Sequence, residues 1–441
     1  MIDYGLLLAV LLGVGVLLGL VLVIRLQAFL ALLIACLVVG LAAGMPTEDI
    51  LKSIQSGMGG TLGFVATVVG LGSIFGAILE RSGGAQGLAQ YMLAKFGIDK
   101  APWALVLTGF LVAIPVFFDV AFIILVPIVY AHQRKTGKSL LLYGIPLLAG
   151  LAITHSFIPP TPGPIAVAEI VGADLGSVIL MGFLVGIPTA FVAGPLFGKF
   201  ISKRIHIEAP EEKEHQEDVA TPPISLILII IGIPIILIVA NTVMSSLSPN
   251  SSILPTIQLL GHPFTALIIA NLLAWYFLGV RRGLSRKELF VISSDSLATA
   301  GTIILLTGAG GSFKQLLIDT GAGNMIAEAI SAGGMPIIFF AFLVAGVVRV
   351  LQGSATVAMI TAAGLTSPLI EASMGDLQRA LVVISIASGA TILSHVNDSG
   401  FWLVNRYLYL TEKQTLQSWT VMETLIAVCG LVFCMIASIF L

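Results

Sequence analysis

Asp119 stands mid-way along an apolar run from 102 to 131, four residues after Pro115. A carboxylate at such depth costs a few kcal/mol or more unless it faces protein or water, which marks it as functional by default. Burial favours the neutral acid, the property a proton carrier needs; the competing reading is a structural acceptor for the amides of a broken helix. Arg349 is the only base deep within a long apolar run, 336 to 366. It either binds a substrate carboxylate or neutralises a buried acid, since intramembrane charges commonly pair. His155 and His395 follow Thr154 and Ser394 at matching places in the two halves of the chain. Either can titrate near neutral pH, although a buried histidine is also often simply hydrogen-bonded. With Asp398, these residues give the proton-coupling candidates Asp119, His155, His395 and Asp398.

Two polar interruptions suit a binding cradle. One is the run Pro159-Pro160-Thr161-Pro162-Gly163-Pro164, in which proline removes donors and disfavours helix, and which therefore reads as a fixed crossing or lid. The other is Ser394, His395, Asn397, Asp398, Ser399 and Gly400, the most polar stretch inside any apolar segment. Short hydroxyls and amides at a helix break suit a polyhydroxylated ligand, because each ligand hydroxyl taken from water needs a partner. A ligand carboxylate fits at a hairpin or half-helix N-terminus, where unpaired amides carry partial positive charge. The substrate-binding candidates are Thr61, Thr154, Gly163, Gly310, Gly311, Arg349, Ser354, Ser394, Asn397 and Ser399. Two histidines without a third ligand at recognisable spacing make no metal site. Neither an H-E-x-x-H pattern nor a serine nucleophile elbow occurs, which argues against a membrane-embedded enzyme, and no cofactor is called for.

The elements that must position these residues are membrane helices. The 441 residues are 57% hydrophobic and 10% charged, with a mean hydropathy of +1.07, outside the composition of soluble domains. The net charge of -2 comes with no basic face or arm, so nucleic acid is no partner. Cys36, Cys429 and Cys434 lie in apolar stretches and read as small core residues. The apolar run 5 to 24 has no preceding base and reads as a retained first helix rather than a signal peptide. Runs of about 20 residues, enough to span a bilayer as helix, also lie at 26–44, 140–158, 175–198, 224–247, 263–280, 380–397 and 420–441. The runs 102–131 and 336–366 are longer than one crossing needs and read as discontinuous helices. The glycine-rich segments 57–79 and 295–318 balance the basic loop clusters on one face only if each enters and leaves on the same side, so they are expected as re-entrant hairpins.

A constant offset pairs Thr61 with Thr299, Gly63 with Gly301, Gly70 with Gly308, Gly72 with Gly310 and Phe75 with Phe313. The expected fold is therefore all-α and polytopic, with two inverted repeats, each of about five transmembrane helices plus a re-entrant hairpin, and broken helices meeting at the midplane. The repeats are 1–205 and 224–441, joined by a charged cytoplasmic linker, 206–223. Such an architecture suits alternating access better than a channel.

At Thr108-Gly109-Phe110, Ile114 to Val120, Pro127, Thr154 to Pro164 and Ser394 to Trp402, the chain resembles the gluconate permease family of proton symporters, within the broader ion-transporter superfamily. The resemblance implies import of gluconate or a related small hydroxy or sugar acid with H+ across the bacterial inner membrane, with a D-serine branch. It also implies a homodimer with a scaffold and a transport domain that moves like an elevator. Thr161 stands where the family usually has histidine, and Asp119 matches the D-serine branch where gluconate members often have glutamate. A sodium-coupled transporter or antiporter of the same superfamily is the alternative within this fold. It would need buried acids beyond Asp119 and Asp398 and would have no use for a hydroxyl-rich cradle.

Overall fold

In hydrocarbon every backbone amide and carbonyl must pair within the chain, which leaves helices as the economical solution for a sequence this apolar. The computed structural model describes residues 4–210, 221–322 and 335–441, and among these no strand occurs. The first part holds α1 (Tyr4–Leu22), α2 (Ala28–Ala42), α3 (Thr47–Arg81), α4 (Gly84–Phe96), α5 (Ala101–Val112), α6 (Phe118–Thr136), α7 (Leu141–Phe157), α8 (Pro162–Val171) and α9 (Leu175–Phe191). A π-turn, Val192–Leu196, carries α9 into α10 (Phe197–Ile201). The second part holds α11 (Ile224–Leu247), α12 (Leu254–Gly261), α13 (Pro263–Leu273, continuing to Arg282), α14 (Arg286–Asp319), α15 (Ile337–Gln352), α16 (Ala355–Thr366), α17 (Asp376–Gly389), α18 (Ser399–Tyr407), α19 (Glu412–Thr415) and α20 (Val421–Ser438). Among the described residues, 7 helices are long and apolar enough to cross a membrane. Most of the charged linker, including Glu211, Glu212, Lys213, Glu214, Glu217 and Asp218, lies outside the described residues.

The two glycine-rich segments form no hairpin. They are the cores of α3 and α14, unbroken helices of 35 and 34 residues. The helices run antiparallel against one another: Ser53 Oγ donates to Asp319 Oδ2 at 2.5 Å, Ser312 Oγ donates to Ile54 O at 2.8 Å, and Gly308 meets Met58 and Leu62. A side-chain carbon at Gly57 would stand 2.8 Å from Ser312 Cα, and one at Gly311 would meet the Gly57 carbonyl at 2.7 Å. The glycines let two backbones approach closely, a use of small residues that leaves helical hydrogen bonding intact.

Chain reversal happens instead at the two long polar-centred runs. α5 crosses α9 in the opposite sense, with Trp103 on Phe191 and Phe110 on Phe183. α7 also opposes α9, with Ile153 against Gly186 and Pro146 against Gly198. α5 and α7 are therefore parallel. α6 opposes α7, since Tyr143 near the start of α7 donates to Thr136 at the end of α6, and Phe117 before α6 packs on His155 near the end of α7. The chain thus turns back at 113–117, where Pro115 denies a helical donor. The same order recurs later. α15 runs parallel to α17, through Ser385 Oγ on Ile338 O and Gly389 on Phe342, and α16 returns from a tip at Gly353, whose φ of +85° suits glycine.

Each hairpin is followed by a helix, an unwound stretch and a short helix. The first is α7, 158–161 and α8; the second is α17, 390–398 and α18, so the expected span 380–397 unwinds after Gly389. The proline run is only partly non-helical. The Pro159-Pro160 bond is cis, but Pro162, Gly163 and Pro164 form the first turn of α8, where backbone N–H groups have no helical acceptor and proline costs nothing.

Candidate functional site

The tips of both hairpins, the second unwound stretch and the start of α8 that follows the first converge on one cavity of about 520 Å³. That volume falls in the range of roughly 300–1,000 Å³ usual for small-molecule sites. First-turn residues of four helices line it: Phe118 and Asp119 of α6, Pro162 and Gly163 of α8, Ala355 and Thr356 of α16, and Ser399 and Gly400 of α18. Each helix start brings the positive end of a backbone dipole; α6, α16 and α18 bring first-turn amides without helical partners, and α8, whose Pro162 and Pro164 have no N–H, brings that of Gly163. Thr299 and Ile303 of α14 close another part of the wall.

The tips are held by close backbone contacts. Gly76 of α3 lies against the carbonyl of Pro115, and Gly353 lies against Asn397, leaving no room for a side chain at either glycine. In the second unwound stretch, Asn397 Nδ2 donates to the carbonyl of Val350 at 3.1 Å, and His395 Nε2 lies 3.1 Å from the same oxygen. These side chains satisfy the carbonyl end of α15, which the turn at Gly353 leaves open.

Arg349 is 4% exposed and its Nη2 meets Asp398 Oδ2 at 2.5 Å. Its Nη1 donates to the carbonyl of Gly353, so one guanidinium ties the hairpin tip to the unwound stretch. Asp398 is further satisfied by the hydroxyl of Ser394 and, at 3.0 Å, by the amide of Gly400. Ser394 in turn accepts from Trp419 Nε1 at 2.7 Å. Asp119 has a different setting: its side chain is exposed to the cavity in the first turn of α6, where a negative charge is favoured. Three carboxyl groups, Asp119, Asp398 and Glu423, share the wall with one guanidinium.

Of the residues singled out from the sequence, Asp119, His155, Gly163, Arg349, Ser354, Asn397, Asp398 and Ser399 line this cavity. Ser394 stands behind Asp398, and His395 beside the end of α15. Thr154 is buried with no partner for its hydroxyl and is not on the wall. Thr61 and Gly311 meet each other between α3 and α14, and Gly310 packs on Ile360 and Ile170, because the segments that carry them are continuous helices rather than hairpin tips. Glu423, Trp419 and Ser156, which the sequence does not single out, also line the cavity, as does Gln352 at the polar interruption of the run 336–366. Glu423 is visible in the sequence as an acid inside the last apolar run, and that was its available signal. Among the described residues, no group of acids, histidines and cysteines is arranged to hold a metal ion.

The fold is similar to that of the YdaH transporter of Alcanivorax borkumensis, with a TM-score of 0.64 over 90% of each chain at 14% identity. In sequence the chain is 41% identical to a gluconate permease of Pseudomonas aeruginosa, over 95% of this chain and 94% of that one. It is 40% identical to a low-affinity gluconate transporter of Escherichia coli K12, over 96% of each chain. The profile of the GntP family permeases matches residues 5–440. Apolar spanning helices and relatives of this kind make the protein a multi-pass membrane transporter and not an enzyme. A match that runs through nearly the whole chain, backed by relatives of equal length, establishes that it belongs to the GntP family of permeases.

Proposed function

We propose that this permease imports gluconate or a closely related small hydroxylated carboxylate together with a proton across the bacterial inner membrane. The observation that carries the reading is the convergence of four helix starts on one polar cavity. Their amides offer a field for a carboxylate, while Ser156, Ser354, Ser399, Thr299 and Asn397 offer partners for hydroxyls. The named functions of the two relatives point to the same substrate class. Proton coupling follows from charge. The wall already carries three carboxyl groups against one guanidinium, so an entering anion is accommodated more readily when a proton enters with it.

The recurrence of hairpin, helix, unwound stretch and helix in both parts, with α3 and α14 antiparallel, supports inverted repeats over 1–205 and 224–441. Repeats of this kind underlie alternating access about a site near the bilayer midplane. On this reading, α3 and α14 belong to the scaffold of a homodimer, and the hairpin unit moves past them like an elevator. A second substrate reading, D-serine or another amine-bearing hydroxy acid, is favoured by one feature: the Asp119 carboxylate, exposed in the cavity, could receive an ammonium group.

The test is uptake of labelled gluconate by proteoliposomes under an imposed inward proton gradient, competed with D-serine and glycerate. Accumulation that collapses with an uncoupler is expected. Stronger competition by D-serine than by unlabelled gluconate reassigns the substrate, and dependence on external sodium in place of protons overturns the coupling.

A further inference from the structure

Glu423 lies on α20, at the cavity wall, and is 4% exposed. Its Oε1 has no hydrogen-bond partner among the described residues. The ionisable groups on the same wall are Arg349 of α15, His155 of α7, Asp119 of α6 and Asp398 before α18; the neighbouring α9 and α17 bring none to it. Arg349 is already engaged by Asp398 and by the carbonyl of Gly353. Asp398 has its own partners in Arg349, Ser394 and the Gly400 amide, and Asp119 opens to the cavity at a helix start. Asp398 therefore has donors on both of its oxygens, and Asp119 is open to the cavity. Glu423 alone among the three is enclosed without a donor, and a buried carboxylate without a partner is the costly state while a buried carboxyl is the tolerable one.

We propose that Glu423 is the group that carries the coupling proton, binding it from the side of higher proton activity and releasing it on the other as the substrate leaves. An anion in the cavity beside Glu423 favours its protonated form, and a protonated Glu423 favours the anion, so each ligand strengthens binding of the other by the same factor. Arg349 and Asp398 then keep a fixed ion pair that holds the hairpin tip. This assignment deepens the proton-symport reading above and rests on it.

The experiment compares wild type, Glu423→Gln and Glu423→Asp in proteoliposomes with labelled gluconate, measuring exchange without a gradient and accumulation with one. For Glu423→Gln, exchange is expected to fall by less than about tenfold while gradient-driven accumulation drops to the equilibrium level. The concentration for half-maximal exchange should lose its pH dependence. Glu423→Asp should restore accumulation in part, with a displaced pH profile. Accumulation by Glu423→Gln at the wild-type level, or an unchanged pH profile, overturns the proposal. Loss of exchange together with accumulation in both variants also overturns it, since that outcome marks a structural residue. If wild type itself exchanges gluconate but does not accumulate it on a proton gradient, the symport reading has failed rather than the choice of residue.

Discussion

Arg349 and Asp398 form a nearly dry pair at 2.5 Å, and the worth of such a pair appears when one partner is removed. Asp398→Asn leaves a buried guanidinium without its hydrogen-bonded carboxylate, and we expect a loss of about 3 kcal/mol, read as a lower unfolding midpoint in detergent. Adding Arg349→Gln removes the orphaned charge and should recover more than half of that loss; a double variant as unstable as either single one would refute the pairing. Asp119 makes the opposite prediction. Exposed in the cavity, Asp119→Asn should leave the unfolding midpoint within about 0.5 kcal/mol of wild type while gluconate uptake falls roughly tenfold or more. At this scale much of the site was legible, because Asp119, Arg349 and Asp398 are polar residues inside apolar runs and lipid makes such residues conspicuous. Glu423 was passed over because it lies near the start of the last run, where a rim position reads the same as a buried one. Only the fold brings it opposite the hairpin tip.

Among the elements, the glycines of α3 and α14 decide how close two long helices can lie. Gly57→Ala puts a methyl group 2.8 Å from Ser312 Cα and 2.7 Å from Gln315 Cβ, and should cost about 1–3 kcal/mol. Gly60→Ala, three residues on and facing open space, should be neutral or stabilise by up to about 1 kcal/mol. Equal effects of the two in thermal unfolding would show that the α3 and α14 contact does not govern stability. The same glycines explain why the hairpins were expected in the wrong places. A small residue serves a sharp turn and a close helix crossing alike, and composition does not separate the two uses. The true turns at 113–117 and Gly353 were legible only as interruptions of the runs 102–131 and 336–366, and whether such an interruption bends the chain back depends on what α7 and α17 pack against.

For the whole molecule, α3 touches both the first hairpin tip and the first unwound stretch, through Gly76 on Pro115 and Gly72 on Pro160. Any elevator-like displacement must slide this contact. In a background with Cys36, Cys429 and Cys434 replaced by alanine, Ser73→Cys and Val116→Cys face the same small gap between α3 and the tip. Bridging them with a bifunctional thiol reagent should abolish uptake and spare gluconate binding measured by calorimetry. Uptake that survives the bridge would place the moving boundary elsewhere.

The four helix starts around the cavity carry a consequence for changing what the permease accepts. On the proposed reading, the amides that hold the carboxylate belong to the main chain, so substitution of a neighbouring side chain leaves that attraction in place. Selectivity and anion capture are thereby separable design variables. Libraries confined to Ser156 and Ser399, which line the cavity, can explore longer, shorter or less hydroxylated acids without rebuilding the means of holding the acid group.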